Sequence, residues 1–279
     1  MTFVAIATCL RIPEPDDDEA LLMAALAEAN VPARVLAWDD ERVDWDAPRL
    51  TVIRSTWNYY LRPGAFLAWA WRRGVRLVNA PDIVQRNHHK SYLRDLEATG
   101  VPVVPTLWVA RGASVGEPLR ETGWTDVVVK PAVSAGSYKT RRLSSPPFDE
   151  ALLTELVAAG DTMVQPYIAS VDTYGERSLI CIDGEVTHAI RKNPRFHGGF
   201  EQVTSVEIAD DERALARRIL ERVAGSPLYA RVDLVRDDGG RPMLGELELI
   251  EPSLFLRQSP AALARFVAAI ARRFLDAEP

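Results

Sequence analysis

Lysine is scarce in this chain. Of the 33 basic residues only four are lysine, Lys90, Lys130, Lys139 and Lys192, and the other 29 are arginine. An ammonium is a compact point charge that approaches a single phosphate oxygen, whereas a guanidinium brings a broad planar fork. Where arginine supplies almost every positive charge, each remaining lysine is a candidate for a task arginine does poorly; the alternative is plain survival on the surface. Cysteine is scarcer still. Cys9 and Cys181 lie in apolar runs, and neither has a Cys or His nearby at metal-ligand spacing, so both are expected to be buried thiols. No stretch approaches the roughly 20 uninterrupted apolar residues of a membrane helix. Met1 to Leu10 is apolar but carries no Lys or Arg ahead of it and no small-residue cleavage pattern behind it. A cytoplasmic protein with no membrane partner is expected. Positive excess is also missing: a net charge of −6 offers no overall field to a polyanion, which argues against nucleic acid and for small molecules as partners.

What is present reads as globular. With 47% hydrophobic and 26% charged residues and no long biased run, general disorder and a fibrous repeat are excluded, and 279 residues are more than one core usually fills. Two or three packed subdomains are expected. Thr2 to Thr8, Ala33 to Trp38, Leu50 to Ile53 and Arg76 to Asn79 have the look of strands, alternating with helical patterns at Asp16 to Ala29 and Pro63 to Gly74. That alternation predicts a parallel α/β domain ending near residue 87. The turn after its first strand, Ala7-Thr-Cys-Leu-Arg-Ile-Pro13, contains no glycine, which counts against an NAD-dependent oxidoreductase. Ligands of such domains sit beyond the carboxyl ends of strands, and there Arg54-Ser-Thr-Trp57-Asn-Tyr-Tyr60 follows the Leu50 strand. Arg54, Trp57 and Tyr60 are candidates for holding a carboxylate-bearing substrate; the competing reading is a surface loop whose aromatics pack on the next helix.

Further along, Asn87 reads as the cap of a helix from His88 to Thr99, closed by Gly100. Arg86, His88, His89 and Lys90 would then surround the positive end of a helix dipole, a conflict that an anion would resolve. Val101 to Val109 looks strand-like, and Val127-Val-Val-Lys130 is a short buried strand ending in lysine. The small-residue loop Ser134-Ala-Gly136-Ser137 follows, with backbone N–H groups free to approach phosphate oxygens, although such a loop is also an ordinary hairpin connection. Met163-Val-Gln165-Pro-Tyr167 is a strand in which Pro166 is expected to interrupt pairing and free backbone groups for a flat polar ligand. Arg177 to Ile182 and Val186 to Arg191 form a hairpin over Asp183-Gly184, with Lys192 at its end. A basic loop spans Arg195 to Gly199, and Asp210 is expected to cap a helix to Ala224.

The densest chemistry lies in the last hairpin, Leu228 to Arg236 and Pro242 to Ile250. Arg231 and Asp233 share one face of the first strand and Glu246 and Glu248 one face of the second, with leucine and valine on the other. A register pairing Arg236 with Met243 sets Asp233 opposite Glu246, so three carboxylates crowd one patch. A hard cation with oxygen ligands, Mg²⁺ first, would remove the repulsion. Glu251-Pro-Ser253 continues the polar run.

These residues resemble the ATP-grasp superfamily of carboxylate–amine ligases, which includes D-alanine–D-alanine ligase and prokaryotic glutathione synthetase. The likeness covers Asn87 to Leu256, and its specific part is Arg-x-Asp followed by Glu-x-Glu, at Arg231, Asp233, Glu246 and Glu248. Arg-Ser-Thr-Trp-Asn-Tyr, Gly-Glu-Arg-Ser and Glu-Leu-Glu-Leu-Ile-Glu-Pro-Ser are also similar to the small ligases near the D-cycloserine cyclising enzyme. The resemblance implies an ATP-grasp fold of α/β and α+β class: an N-terminal parallel α/β domain (1–87), a small central α+β subdomain (88–175) and a C-terminal antiparallel-sheet subdomain (176–279). It makes Lys90, Lys130 and Lys192 phosphate contacts, Ser134, Gly136 and Ser137 a mobile loop over the triphosphate, Gln165 and Tyr167 the adenine reader, and Glu176 the ribose ligand. Arg231 and Lys192 become catalytic. Asp233, Glu246 and Glu248 hold Mg²⁺, expected as two ions with Mn²⁺ a substitute, while Arg54, Trp57, Tyr60 and Ser253 meet substrate. Glu248 stands where the family commonly has Asn, which leaves open whether it or Glu251 completes the metal site. The implied activity joins an amino-acid-like carboxylate to an amine through an acyl phosphate, releasing ADP and phosphate, with intramolecular cyclisation within its scope. A peptide- or protein-tagging ligase and a non-catalytic ATP-binding module are the alternatives, and a homodimer is in keeping with related ligases.

Overall fold

The computed structural model describes residues 2–192 and 203–277, so the basic loop read at Arg195 to Gly199 lies outside the described residues. The backbone forms three sheets. Helices α1 (Glu19–Glu28), α2 (Pro63–Arg73), α3 (Pro81–Asn87), α4 (Tyr92–Ala98), α5 (Gly116–Glu121), α6 (Glu150–Ala159), α7 (Ser170–Thr173), α8 (Asp210–Leu220) and α9 (Pro260–Asp276) connect and cover them. Among the described residues no helix is long and apolar enough to cross a membrane.

The first sheet is parallel, in the order β2-β1-β3-β4, from β1 (Val4–Thr8), β2 (Ala33–Ala37), β3 (Leu50–Ser55) and β4 (Leu77–Val78). Strand β1 is apolar throughout because both faces are covered. Side chains alternate between those faces. Ile6 and Val52 meet α1 and α9 through Leu22, Leu26, Phe266 and Ile270, while Ala7 and Ile53 meet α2 through Phe66, Trp69 and Ala70. The second sheet is antiparallel, β5-β8-β6-β7, from β5 (Leu107–Val109), β6 (Asp126–Pro131), β7 (Arg141–Ser144) and β8 (Thr162–Pro166), and α5 and α6 pack on it through Leu119, Leu153 and Leu156.

The third sheet is also antiparallel, β11-β10-β9-β12-β13, from β9 (Glu176–Ile182), β10 (Glu185–Lys192), β11 (Val203–Val206), β12 (Tyr229–Arg236) and β13 (Pro242–Glu248). One face, with Leu179, Val232, Leu234 and Leu247, packs on α8. The other face changes character along its length: Ile180, Ile182 and Ile190 join the core beneath α9, whereas Glu176, Lys192, Arg231 and Asp233 open into a cleft.

Several local expectations are corrected. Of Val101 to Val109 only Leu107–Val109 is strand; upstream, Val103 bridges Leu244, and prolines 102 and 105 prevent a regular ladder. Asn87 does not cap a helix from His88. It ends α3, its side chain donates to Leu247 O at 2.9 Å and accepts from Leu249 N at 2.9 Å, and the next helix begins only at Tyr92. The helix from Asp210 starts at that residue, its amino end closed by Glu212 accepting from Ala209 N at 3.2 Å. Pro166 closes β8 rather than breaking it, and the following N–H, of Tyr167, donates to Asp126 O at 2.8 Å. In the last hairpin Arg236 pairs with Pro242, not Met243. Gly245 is an extra residue in β13, a bulge that restores Asp233 opposite Glu246 and lets both Leu244 and Leu247 reach the core. Cys9 and Cys181 are buried, as expected.

The first and third sheets are joined by buried hydrogen bonds. Asn79 donates to Tyr229 O at 2.9 Å and Leu249 O at 2.8 Å and accepts from Leu228 N at 2.6 Å. Replacing it by alanine strands three buried backbone groups. Asn79→Ala is expected to cost about 3 kcal/mol or more, seen as a lower denaturant midpoint; an unchanged midpoint would show that the seam does not depend on this amide.

Candidate active site

Between the second and third sheets, closed at one end by the loop after β3, lies a cleft of about 420 Å³. Every predicted site residue except Arg54 lines it. Arg54 is fully buried behind the cleft, where its guanidinium donates to Pro252 O at 2.9 Å and lies 5.8 Å from the Tyr229 ring centre. It supports the floor and does not face a substrate. Trp57 lines the cleft and donates from Nε1 to Glu251 O at 2.9 Å. Tyr60 is half covered, its ring 4.4 Å from that of Tyr138 in the Ser134–Ser137 loop region, so the loops from the first and second sheets touch.

The conflict expected at a helix dipole is absent, because Lys90 lies in the turn before α4 and is buried. Its Nζ donates to Ser134 O at 2.9 Å and to Ser134 Oγ at 3.1 Å, and lies 3.2 Å from Glu246. Lys130, at the end of β6, reaches the same carboxylate at 3.9 Å. Asp233 accepts from Arg231 at 2.9 Å, from Lys192 at 3.1 Å and from Ser178 Oγ at 2.5 Å. Lys192 also meets Glu176 at 2.5 Å, the residue beside it across the β9–β10 ladder, and Arg231 also pairs with Glu248. Arg231 is therefore not the sole cation of this patch: three of the four lysines converge on it. Lys139 stays outside, over the Tyr138 ring at 5.6 Å.

Charges here set one another. Burial pushes Glu246 up, but Lys90 and Lys130 outweigh it and hold the carboxyl below the ordinary glutamate value. Asp233 is held well below the usual range in the same way, burial being overcome by Arg231 and Lys192. Glu248 goes the other way: burial dominates, Arg231 offsets only part, and the carboxyl is pushed up to about 7. Glu251 is raised further above its usual value, by burial and then by Glu248. Burial lowers Lys130, with Glu246 opposing. Among the described residues no three acidic, His or Cys side chains are arranged as a ready metal cage. The donor chemistry nevertheless fits a hard divalent ion, since the carboxylates of Asp233, Glu246 and Glu248 face one cleft and, apart from the Ser178 hydroxyl on Asp233, are engaged among the described residues by lysines and Arg231, cations that a polyphosphate would draw away.

Gln165 is buried beside the cleft and donates to Thr106 at 2.9 Å; the Tyr167 hydroxyl donates to Asp172 at 2.5 Å under the Arg142 guanidinium, 3.4 Å above the ring. Sequence reading missed Tyr59, Tyr92 and Ser178. Ser178 was findable, because alternation places it on the same face as Glu176. Tyr92, whose hydroxyl accepts from Leu247 N at 3.1 Å, carries no local signal.

With this geometry in place, comparison with known proteins is informative. The family described as "D-cycloserine synthetase DcsG, N-terminal domain" matches residues 4–79. Over 281 residues the chain is 34% identical to the cycloserine biosynthesis protein DcsG of Streptomyces lavendulae, covering 92% of this chain and 94% of that protein. The chain belongs to the DcsG family of ATP-grasp ligases. The crystal structure of D-cycloserine synthetase DcsG superposes with a TM-score of 0.88 at 32% identity, over 98% of this chain and 99% of that one. D-alanine–D-alanine ligase of Bacillus anthracis, complexed with ATP, shares the fold at TM-score 0.72 and 15% identity, covering 99% and 98% of the two chains. As a DcsG-family member the chain is an ADP-forming, ATP-dependent carboxylate–amine ligase acting on a small amino-acid-like substrate.

The site's charge pattern has a measurable consequence for stability. Asp233→Ala should destabilise the nucleotide-free protein by roughly 3 kcal/mol, because it removes the buried carboxylate that Arg231 and Lys192 share and leaves each with one acidic partner. Glu251 has the opposite sign. A carboxyl raised on folding stabilises fully below its unfolded value and loses that contribution as pH rises toward the folded one. The protein should therefore lose stability as pH rises above the ordinary glutamate range, and Glu251→Gln should lessen the loss. Denaturant midpoints measured across that rise check this; a Glu251→Gln protein with the wild-type pH slope would refute it.

Proposed function

We propose that the cleft closes an amino-acid-like carboxylic acid onto its own nitrogen, as the name of the Streptomyces relative suggests for that protein, by way of an acyl phosphate. The convergence of Lys90, Lys130, Lys192 and Arg231 on one hairpin of carboxylates is the observation that carries this reading. In the ligand-free protein these four cations face Glu176, Asp233, Glu246 and Glu248, so the formal charges cancel. A triphosphate competes for the lysines, and the carboxylates they release then need hard cations. Asp233, Glu246 and Glu248 are the residues that would hold Mg²⁺, as two ions with Mn²⁺ an acceptable substitute; the metal supplies neutralisation of phosphate charge.

Lys90 and Lys130 lie at the phosphate end, beside Ser134, and the Ser134-Ala-Gly136-Ser137 loop would offer backbone N–H groups to the same anion. On this reading Gln165 and Tyr167, which line the cleft, would read the base and Glu176 the ribose. The substrate carboxylate attacks the γ-phosphorus, ADP leaves, and Arg231 with Lys192 offsets the charge that builds on the transferred phosphoryl group. The substrate nitrogen then displaces phosphate from the acyl carbon, giving the C–N bond. No enzyme side chain serves as covalent nucleophile. Contact between Tyr138 and Tyr60 supports a loop that shuts over the cleft and keeps water from the acyl phosphate. On this reading the three sheets are three functional units, with the substrate unit at residues 1–87, the loop-bearing unit at 88–175 and the metal-hairpin unit at 176–279.

Lys130→Ala and Glu246→Ala are each expected to lower Mg-dependent ADP formation by about 100-fold or more with the circular dichroism spectrum retained; wild-type turnover in either variant would overturn the assignment. A phosphate-release screen against amino acids and dipeptides, with Mg²⁺ withheld as control, identifies the acid. Intramolecular closure yields a product lighter than that acid by one water, and a product heavier than the acid rejects cyclisation.

A further inference from the structure

Among the described residues six carboxylates line the cleft: Glu14, Glu176, Asp233, Glu246, Glu248 and Glu251. Four have a lysine or arginine at ion-pair distance, and Glu14 is exposed at the rim with a partner of its own. Glu251 differs. It is 7% exposed, and among the described residues no hydrogen bond or ion pair reaches its carboxyl group. Its backbone is nonetheless fixed from behind by the loop after β3: Trp57 Nε1 donates to Glu251 O at 2.9 Å and Arg54 donates to Pro252 O at 2.9 Å. A side chain that could escape to water is instead held inside, beside Trp57, Tyr59 and Ser253.

A largely buried carboxylate without a partner is disfavoured relative to one in water. The nearest fixed charges do not relieve it, since Glu248 and Glu246 oppose the weaker help of Lys90 and Arg231. A rigid, buried acid with an empty coordination sphere is matched by a ligand that brings its own cation. Asp233 and Glu246 face each other across the hairpin, whereas Glu251 lies beyond the end of β13 on a segment clamped to the first sheet. This sets it three residues past Glu248, off the ladder that carries Asp233 and Glu246, at the end of the cleft bounded by the substrate-side loop. An amino-acid substrate has one group of the right sign there. We propose that Glu251 is the specificity-determining residue that receives the ammonium group of an amino-acid substrate, with Arg54 and Trp57 as the positioning residues that hold it in the cleft. This rests on the ligase reading of the cleft and names the chemical feature by which it selects its acid.

The test uses two ligand pairs that differ only in the amine: D-cycloserine against isoxazolidin-3-one, and D-alanine against propionate, titrated calorimetrically into the full chain with Mg²⁺ and ADP present. Wild-type protein should prefer the amine-bearing member of at least one pair by about tenfold or more. Glu251→Gln should reduce that preference to about threefold or less while leaving Mg·ATP affinity unchanged, and Glu246→Gln should weaken Mg·ATP instead. Four results would overturn the proposal: no amine preference in the wild type, a preference kept in Glu251→Gln, a preference lost in Glu14→Gln and kept in Glu251→Gln, or a loss of Mg·ATP affinity in Glu251→Gln equal to that in Glu246→Gln. The ligase reading itself fails separately, if the wild type binds no Mg·ATP.

Discussion

Mutual neutralisation of the acids and bases on the third sheet is the constraint from which the rest follows. Asp233 is buried and ionised only because Arg231, Lys192 and Ser178 surround it. Glu246 is tolerable only between two lysines, one of them delivered by the turn before α4 and the other by the end of β6. The arrangement thus ties three separate stretches of chain to one hairpin. It also explains why a protein so sparing of lysine has kept three here. A guanidinium at Lys90 would need room that Ser134 and Glu246 do not leave.

Neighbouring acids diverge because their surroundings differ by one partner. Glu246 has two ammonium groups, Glu248 shares one guanidinium with Asp233, and Glu251 has neither, and their affinities for protons rise in that order. Groups spaced along a few residues of chain therefore hold their protons with different strength. An active site that must handle both a highly charged nucleotide and an amino acid gains from such a gradient.

Much of this was legible in the sequence, and the limits are instructive. Strands with a strict two-residue period, such as Arg231-Val-Asp233-Leu, declared their faces at once. The phase break in Leu244-Gly-Glu-Leu247 went unread, which is why the register was set on Met243; two core leucines an odd number of residues apart need an intervening bulge, and glycine marks it. Contacts decided by tertiary partners were not legible. Asn87 has every local property of a helix cap, yet its amide matches the edge of β13 and the helix restarts later. Arg54 reads as the start of a polar loop at the ligand-binding end of a parallel sheet, but it is part of β3, and Pro252 O and the Tyr229 ring draw it behind the cleft. In both cases a distant backbone competes with the local rule and prevails.

The distribution of primary amines has a practical corollary. Apart from the amino terminus, the chain presents four side-chain amines to an acylating reagent, and three of them line one depression. Two of those, Lys90 and Lys192, are already shielded by carboxylates at rest. Most proteins scatter such groups over their exterior, where labelling reports little about occupancy. Here the extent of acylation is an almost background-free gauge of whether the depression is filled.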